Sequence, residues 1–309
     1  MKKHTIKLLG IVCLLLAHLQ IRGQGCSDAG VCTAPSLHSA QRPGEYQNTV
    51  KLAATFGAAD EGTAVFSPTL YMNWAIAEKT QLQARLPYHI ISGDLADVSG
   101  LGDITLNIAQ QLYNAKGYQV QASAGIKLPT NDADKTEDGR PLPMVYQTSL
   151  GTVDLLLGAS VNYKQWMLGI GYQQPLTDAN KNGFLTQTWI ADQSFSDARE
   201  YENSRDLERK GDLVLRVQRN FKFRKLNLSA SLLPILHLGK DSYLDASGTR
   251  REIDGSDGLT LNATVNAAFK LAKHIDLNVL LASPLAVRDH RPDGLTRAFV
   301  ISPSLTYRF

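Results

Sequence analysis

Hydrophobic and polar residues alternate with a period of two along most of the chain from about residue 48 onward. The clearest segment is 259–271, where apolar side chains fill every odd position and Thr, Asn or Lys fill most even positions. Such alternation predicts a β-strand, because successive side chains of a strand project to opposite faces. The segment is also longer than the roughly five or six residues of an ordinary soluble strand.

Eleven further segments have the same pattern, so the chain is predicted to contain twelve long strands. The twelve lie near 48–57, 64–77, 80–91, 101–113, 118–129, 151–163, 166–176, 211–222, 226–238, 259–271, 275–281 and 299–309. After the N-terminus, no segment has sustained helical amphipathicity. Strands of this number and length fit either a soluble sandwich or an outer-membrane barrel.

The lengths of the connections favour the barrel. Short links alternate with long polar ones, which run about 92–100, 130–146, 177–210, 239–257 and 284–295. Short turns on one rim and long loops on the other are typical of transmembrane β-barrels, and an even strand number places both termini on the short-turn rim. The first link, near 58–62, is an exception because it is short. We predict an all-β fold, a transmembrane antiparallel β-barrel of about 12 strands over 48–309.

The N-terminus has the pattern of a secretory signal peptide. Two lysines precede an apolar run at 8–16, and small residues follow before residue 26. That run is shorter than the about 20 residues of a transmembrane helix, which disfavours a retained anchor. We therefore predict a cleaved signal peptide at 1–24 and export to the cell outer membrane. Residues 25–47 lack alternation and are predicted to form a periplasmic tail or a short plug.

Two cysteines remain after the predicted cleavage, Cys26 and Cys32. In an oxidising compartment the simplest prediction is one small-loop disulfide between them. A two-thiolate metal site is the alternative, but no His or third Cys lies nearby to complete it. No metal site and no cofactor are expected.

The chain ends in a further pattern of alternate residues. Leu305, Tyr307 and Phe309 follow one another in two-residue steps, and Phe309 is the last residue. This ending resembles the C-terminal signal that outer-membrane proteins present to the barrel-assembly machinery. The same side chains would form the lipid-facing stripe of the closing strand. The expected partners are therefore outer-membrane lipid and the assembly machinery.

The amino-acid composition excludes several classes of protein. The chain is 43% hydrophobic and 20% charged, which excludes a disordered chain and a polytopic helical membrane protein. The net charge is +3, without clusters of Lys and Arg. Nucleic acid is therefore not an expected partner.

Three short motifs resemble one family of outer-membrane proteins. They are Leu-Pro-Tyr at 86–88, Ser-Gly-Leu-Gly-Asp-Ile at 99–104 and Gly-Ile-Lys-Leu-Pro-Thr at 125–130. Their order resembles the family named for the MetA pathway of phenol degradation, although Asn131 stands where that family usually has Gly. The resemblance implies a barrel and, more loosely, a channel for small, often hydrophobic molecules.

Polar residues opposite the apolar stripes are predicted to face the lumen. The candidates for lumen-lining charged residues are Arg85, Asp103, Lys127, Asp154, Arg216 and Asp276. Arg85, Arg216, Asp103 and Asp154 either pair across the lumen and plug it, or contact the solute directly; pairing is favoured. A mixed-charge wall of this kind predicts little selectivity for ions of either sign.

One strand departs from this polar wall. The inward face of 226–238 becomes apolar at Leu233 and Ile235, and Pro234 removes a donor from the ladder. Pro284 could open the wall in the same way. One hypothesis is lateral access for a hydrophobic solute; the alternative, slightly favoured, is packing against loop 177–210.

These features predict a channel for small, hydrophobic or aromatic molecules that acts by passive diffusion. One alternative is a barrel that docks a partner protein through loop 177–210, which carries Trp189, Phe195 and Tyr201. A less favoured alternative is an outer-membrane hydrolase. No hydrolase or phosphate-binding motif is present, so we predict that the protein is not an enzyme. The rim histidines available to a hydrolase are His89, His237 and His290.

Overall fold

The computed structural model describes residue 37 and residues 47–59, 61–294 and 299–309. Its strands in chain order are β1 (Thr49–Ala58), β2 (Ala64–Ala77), β3 (Thr80–Ser92), β4 (Asp97–Leu101), β5 (Ile104–Ala115), β6 (Tyr118–Leu128), β7 (Thr136–Glu137), β8 (Arg140–Pro141), β9 (Asp154–Tyr163), β10 (Trp166–Pro175), β11 (Asp212–Lys222), β12 (Leu226–His237), β13 (Ser242–Leu244), β14 (Arg250–Glu252), β15 (Gly258–Lys270), β16 (Ile275–Ala286) and β17 (Phe299–Arg308).

The barrel is closed by antiparallel pairing between the first and last strands, with Thr49 opposite Arg308. Every other wall strand pairs with its neighbours in the sequence. The two short hairpins β7–β8 and β13–β14 stand apart in the long loops. The wall therefore contains twelve strands if β4 and β5 are counted as one, and the predicted transmembrane β-barrel is confirmed.

The segment β4–β5 differs from the prediction. Both strands pair with β3, and only four residues, Gly93 to Ala96, connect β3 to β4. The strand predicted at 101–113 thus begins earlier, and the predicted long link at 92–100 is a tight hairpin. The break between β4 and β5 falls at Gly102, where a Cβ atom would lie 2.2 Å from Nε2 of His89. Glycine is required there because the imidazole fills the space that a side chain would occupy.

Large apolar side chains are exposed on the outside of the wall, whereas the side chains between them are buried inside. Leu52, Leu168 and Leu305 are each more than half exposed. In water such a surface would be unfavourable, but it matches the apolar outer band of a barrel in lipid. Exposed aromatics gather toward the short-turn end; they include Trp74, Tyr113, Tyr118, Trp166 and Tyr307.

Prolines interrupt the ladder on one side of their strands. The β11–β12 pairs stop at Val214–Ile235 and resume at Val217–Leu232, so the interruption contains Pro234. Pro234 still pairs with Leu261 of β15 on its other side. Pro284 pairs with Asn262 beside a register shift. The strands continue through both prolines, because proline lacks only the N–H group.

Among the described residues, no helix is both long and apolar enough to span a bilayer. Within residues 61–294 the helical segments are a single α-turn at Phe195–Ala198 and 3-10 turns at Met144–Tyr146 and Thr186–Trp189. All three lie in long loops, where they contribute to a compact layer over one end of the barrel.

Candidate functional site

The long loops pack on one another and form a cap with its own apolar core. Tyr146, Phe184 and Trp189 are almost fully buried there, and they contact Val65 and Ile91 on the inner face of β2 and β3. A second apolar cluster joins Met144, Leu150, Leu207 and Ile253, with Ala133. Burial of this much aromatic and aliphatic surface stabilises the loops against each other. Only the folded chain brings these residues together, because they lie in separate loops.

Directional bonds fix the cap in one arrangement. The side-chain amide of Asn182 donates to the carbonyls of Ala133 and Leu142 at 2.8 and 3.0 Å. The indole of Trp189 donates to the carbonyl of Pro141 at 2.9 Å. Arg140 forms an ion pair with Asp192 at 2.7 Å. These bonds join the loop that precedes β9 to the loop that precedes β11.

Two tyrosine hydroxyls meet inside the cap, 3.1 Å apart, in Tyr146 and Tyr201. The Tyr201 hydroxyl also lies 3.3 Å from the hydroxyl of Thr63. Burial raises the pKa of Tyr201 well above its usual value, because the phenolate would lose its hydration. Tyr201 therefore stays neutral in the cap at ordinary pH.

Beneath the cap lies a layer of buried charged side chains, which we call the charged layer. Its first part surrounds the fully buried Asp154. A carboxylate oxygen of Asp154 forms an ion pair with Nζ of Lys127, 2.6 Å away. Lys127 also lies 3.6 Å from Asp103. Asp103 and Lys127 belong to the motifs at 99–104 and 125–130, so the two motifs meet through this pair.

The second part of the charged layer is supplied largely by loops. Arg209 lies 3.4 Å from Asp212 and 3.3 Å from Asp293, and Arg288 lies 2.6 Å from Asp293. Burial opposes the charge of Arg209, but Asp293 and Asp212 hold the pKa of its guanidinium above its usual value. The guanidinium therefore remains charged despite its burial.

His237 links the strands of the wall to this loop network. Its Nδ1 lies 2.7 Å from Asp212 and its Nε2 lies 2.8 Å from Asp241. Arg288 reaches Asp241 at 3.7 Å. The layer as a whole brings five aspartates together with three cations and one histidine. A solute that crosses it must disrupt or replace buried ion pairs, which is costly.

An apolar recess lies immediately below the charged layer on one side of the lumen. Leu156, Val214 and Ile235 each follow or precede a charged-layer residue by two positions on the same inner face. With Leu233 and Leu37 they form one buried cluster. Leu233 and Ile235 thus belong to the same buried apolar cluster as Leu37, and no residue of loop 177–210 belongs to it. The sequence slightly favoured packing against that loop; the apolar side chains cluster around Leu37 instead.

Arg216 lies at the lower edge of this recess. Its Nη1 donates to the carbonyl oxygen of Leu37 at 2.8 Å. Its Nε and Nη2 lie 3.3 and 3.2 Å from Oγ of Ser231, which is 2.6 Å from Oγ1 of Thr264. Among the residues described, no carboxylate forms an ion pair with Arg216.

The predicted lumen residues occupy four different settings. Asp103, Lys127 and Asp154 lie in the charged layer, whereas Arg216 lies below it. Asp276 forms an ion pair with Arg308 at 2.8 Å near the short-turn end. Arg85 is buried beside a cavity of about 40 Å³ that Asp103 also lines.

Several residues of the charged layer were missed by sequence reasoning. Arg209, Asp241, Arg288 and Asp293 lie in loops, where no alternation marks which side chains face inward. Asp212 opens β11, and its position at the long-loop end was the only available indication. The direction in which such a loop side chain points is set by tertiary packing, and no two-residue alternation in the sequence reveals it.

Each of the three rim histidines contacts a neighbouring side chain. His89 Nδ1 lies 2.7 Å from Oγ of Ser67, and the cavity that His89 lines has room for about three water molecules. His237 is held between two aspartates, as described above. His290 contacts Glu202 on the surface.

Other predicted features fall partly or wholly outside the described residues. The signal peptide at 1–24 and the pair Cys26 and Cys32 lie outside them. Of the segment 25–47, only Leu37 and Gln47 are described. At the other terminus, Leu305, Tyr307 and Phe309 are all more than half exposed, on the outer face of β17 and just after it.

Comparisons with known proteins bear on the fold. No protein-family model and no curated protein matches this chain. The COG4313 outer membrane channel from Pseudomonas putida F1 is similar in structure, with a TM-score of 0.61 and 16% identity, covering 87% of this chain and 100% of that chain.

Two further solved structures are similar at lower TM-scores. The NanC porin has a TM-score of 0.46 and 9% identity, covering 85% of this chain and 98% of that chain. Outer membrane phospholipase A from Escherichia coli has a TM-score of 0.37 and 9% identity, covering 85% and 92%. Scores this low do not separate a channel from an enzyme. The chain thus shares its fold with a solved outer-membrane channel, while the family indicated by the motifs at 99–104 and 125–130 stays a prediction.

Proposed function

We propose that the protein is an outer-membrane channel that admits small molecules by passive diffusion and whose long-loop end is closed in the state described. The observation that carries the proposal is the wall itself, a closed barrel with an apolar outer face and a polar inner face. An apolar outer face suits lipid, and a polar inner face suits water and solutes. A barrel of this strand number is wider than the filled eight-stranded kind.

Closure follows from the cap and the charged layer. The long loops of an outer-membrane barrel face the outside of the cell, so the cap would cover the external mouth. Lys127 and Asp154 are almost inaccessible beneath it. Passage of a solute therefore requires that the cap loops separate and that the buried pairs rearrange.

The cap offers a reversible test of this proposal. The backbone N–H of Lys181 donates to the carbonyl of Asp132 at 3.1 Å, so these positions of two different loops lie close together. We would substitute both by cysteine, Asp132→Cys and Lys181→Cys, in a background with Cys26→Ser and Cys32→Ser. The refolded chain without the predicted signal peptide 1–24, and hence without Cys13, would be placed in liposomes and assayed by swelling with sugars, amino acids and aromatic acids.

We expect slow swelling when the cap disulfide is formed and faster swelling after reduction. Each single-cysteine variant is the matched control and should not respond to reductant. Absence of swelling for every solute, in the reduced double variant and in the wild type, would contradict the channel proposal. Swelling unaffected by the disulfide would contradict the role given to the cap.

The docking alternative has less support from the cap. Trp189 is almost fully buried and Tyr201 largely so, and both pack within the cap, so these aromatics are not offered to a partner. The hydrolase alternative rests on the Ser67–His89 hydrogen bond, which lies inside the wall. Ser67→Ala would abolish ester hydrolysis by the purified protein if that alternative held.

A further inference from the structure

The apolar recess beside Arg216 has the form of a ligand site. Its walls are Leu156, Val214, Leu233 and Ile235, all buried and all on the inner face of the barrel. Arg216 supplies one charged group at the edge of this apolar cluster. Sites for small molecules commonly combine an apolar lining with a few fixed polar groups in this way.

Leu37 shows what the recess accepts. Its side chain is completely buried among the apolar residues, and its carbonyl oxygen accepts the hydrogen bond from Nη1 of Arg216. A Cβ atom on Gly169 of β10 would lie 2.8 Å from Cδ2 of Leu37. The glycine therefore leaves the space that the leucine side chain fills. A branched aliphatic group and an oxygen acceptor thus occupy the recess together.

Three other buried cations are balanced by carboxylates, whereas Arg216, among the described residues, is not. Lys127, Arg209 and Arg288 each form ion pairs with aspartates. Arg216 has, within the described part of the chain, only a serine hydroxyl and one main-chain carbonyl. A carboxylate is a stronger acceptor for a guanidinium than a neutral carbonyl is, and a buried cation gains most from it.

We propose that this recess binds a small monocarboxylate with a branched aliphatic or aromatic body, and that Leu37 occupies the site when the ligand is absent. The inference rests on the proposed channel function and names the class of solute that the channel selects. The carboxylate replaces the Leu37 carbonyl at Nη1 of Arg216, and the apolar body replaces the Leu37 side chain against Gly169.

Leu37 and the ligand exclude each other because they use the same space and the same donor. The ligand must displace Leu37 before it can bind. The free energy that holds Leu37 in the recess therefore lowers the apparent affinity of the protein for the ligand. Removal of the leucine side chain should therefore strengthen binding, whereas removal of the guanidinium or filling of the recess should weaken it.

Calorimetric titration of the refolded full chain in detergent tests the site. The probe is 3-methylbutanoate, and the comparison is 3-methylbutan-1-ol, which has the same branch without the charge. We expect saturable binding of the acid, with at least about tenfold weaker binding of the alcohol, since charge-assisted hydrogen bonds are roughly twice as strong as neutral ones. Equal binding of the two probes would overturn the proposal.

Variants separate the guanidinium from the recess. Arg216→Gln and Gly169→Val should each weaken binding of the acid by at least about tenfold. Gly169→Val retains Arg216 and therefore still tests the site if Arg216→Gln does not fold. Leu37→Gly should strengthen it several-fold. The control is Arg219→Gln, which removes an exposed arginine of the same strand that stacks on Trp166. Unchanged affinity in a folded Arg216→Gln or Gly169→Val variant, or weaker binding in Leu37→Gly, would refute the site.

Liposome swelling keeps this proposal distinct from the channel proposal. If the acid binds in an Arg216-dependent manner while no variant passes any solute, the site stands and the channel function fails. If sugars and amino acids pass but the acid does not bind, the channel stands and the carboxylate site fails.

Discussion

Arg216 of β11 donates a hydrogen bond to the main-chain carbonyl of Leu37, 2.8 Å away and 179 positions earlier in the chain. The contact places a residue from before the first strand inside the lumen, directly below the charged layer. It also places a buried guanidinium, which forms no ion pair with an aspartate among the described residues, beside an apolar cluster. The relationship suggests a selective site in a lumen that otherwise resembles a general polar wall.

The buried indole of Trp189 should control the stability of the cap. Trp189→Ala removes a fully buried ring and its bond to Pro141, and substitutions of this kind cost about 3–5 kcal/mol. We expect faster proteolysis of the loop that precedes β11 and faster liposome swelling, with the barrel itself intact. Ile190→Ala, which truncates an exposed neighbour, is the control; similar behaviour of the two variants would exclude this role.

The Lys127 ammonium should be essential to the charged layer. Lys127→Met leaves Asp154 and Asp103 without their shared cation, and removal of one partner of a buried pair costs about 3–5 kcal/mol. The expected result is a clear drop in the urea concentration that unfolds the barrel. Arg251→Met breaks an exposed pair with Asp245 and should leave unfolding unchanged. Equal effects would show that the burial of Lys127 is unimportant.

The cap should loosen in alkaline solution because of Tyr201. The pKa of Tyr201 is raised in the folded cap above its ordinary value of 10.0. The stabilising contribution is therefore complete below about pH 10 and is lost as the pH rises above that value. Proteolysis of the cap should accelerate as the pH rises above about 10 in the wild type. In Tyr201→Phe this component of the pH dependence should be absent, and its persistence would assign the effect to other groups.

The exposed C-terminal aromatics should matter for assembly. We expect deletion of Phe309 to lower the amount of folded barrel in the outer membrane several-fold, as measured by the heat-dependent shift in gel mobility. Phe223→Ala removes another exposed aromatic near the short-turn end and should have little effect. Equal losses would indicate a general requirement for rim aromatics and not a terminal signal.

Alternation alone predicted most of the wall. Residues 258–270 form β15, within one position of the predicted segment, and β2 has the predicted bounds. The reason is that a barrel wall is one layer thick, so each side chain faces either lipid or lumen. An apolar residue in a strand therefore indicates a lipid-facing side chain, and a polar residue indicates a lumen-facing one. The start of β4 was missed because its outward positions Asp97 and Ser99 are polar, so no apolar alternation marks this part of the strand.

The amino-acid sequence by itself therefore determined the closed barrel, its apolar outer face and the inward positions of Arg216, Lys127 and Asp154. Only the tertiary structure decided how the lumen is filled. Arg209 and Asp293 come from loops that lack the alternation of apolar and polar residues. Leu37 lies far from Arg216 along the chain. Contacts of this kind depend on the three-dimensional meeting of distant segments, which no local pattern of residues encodes.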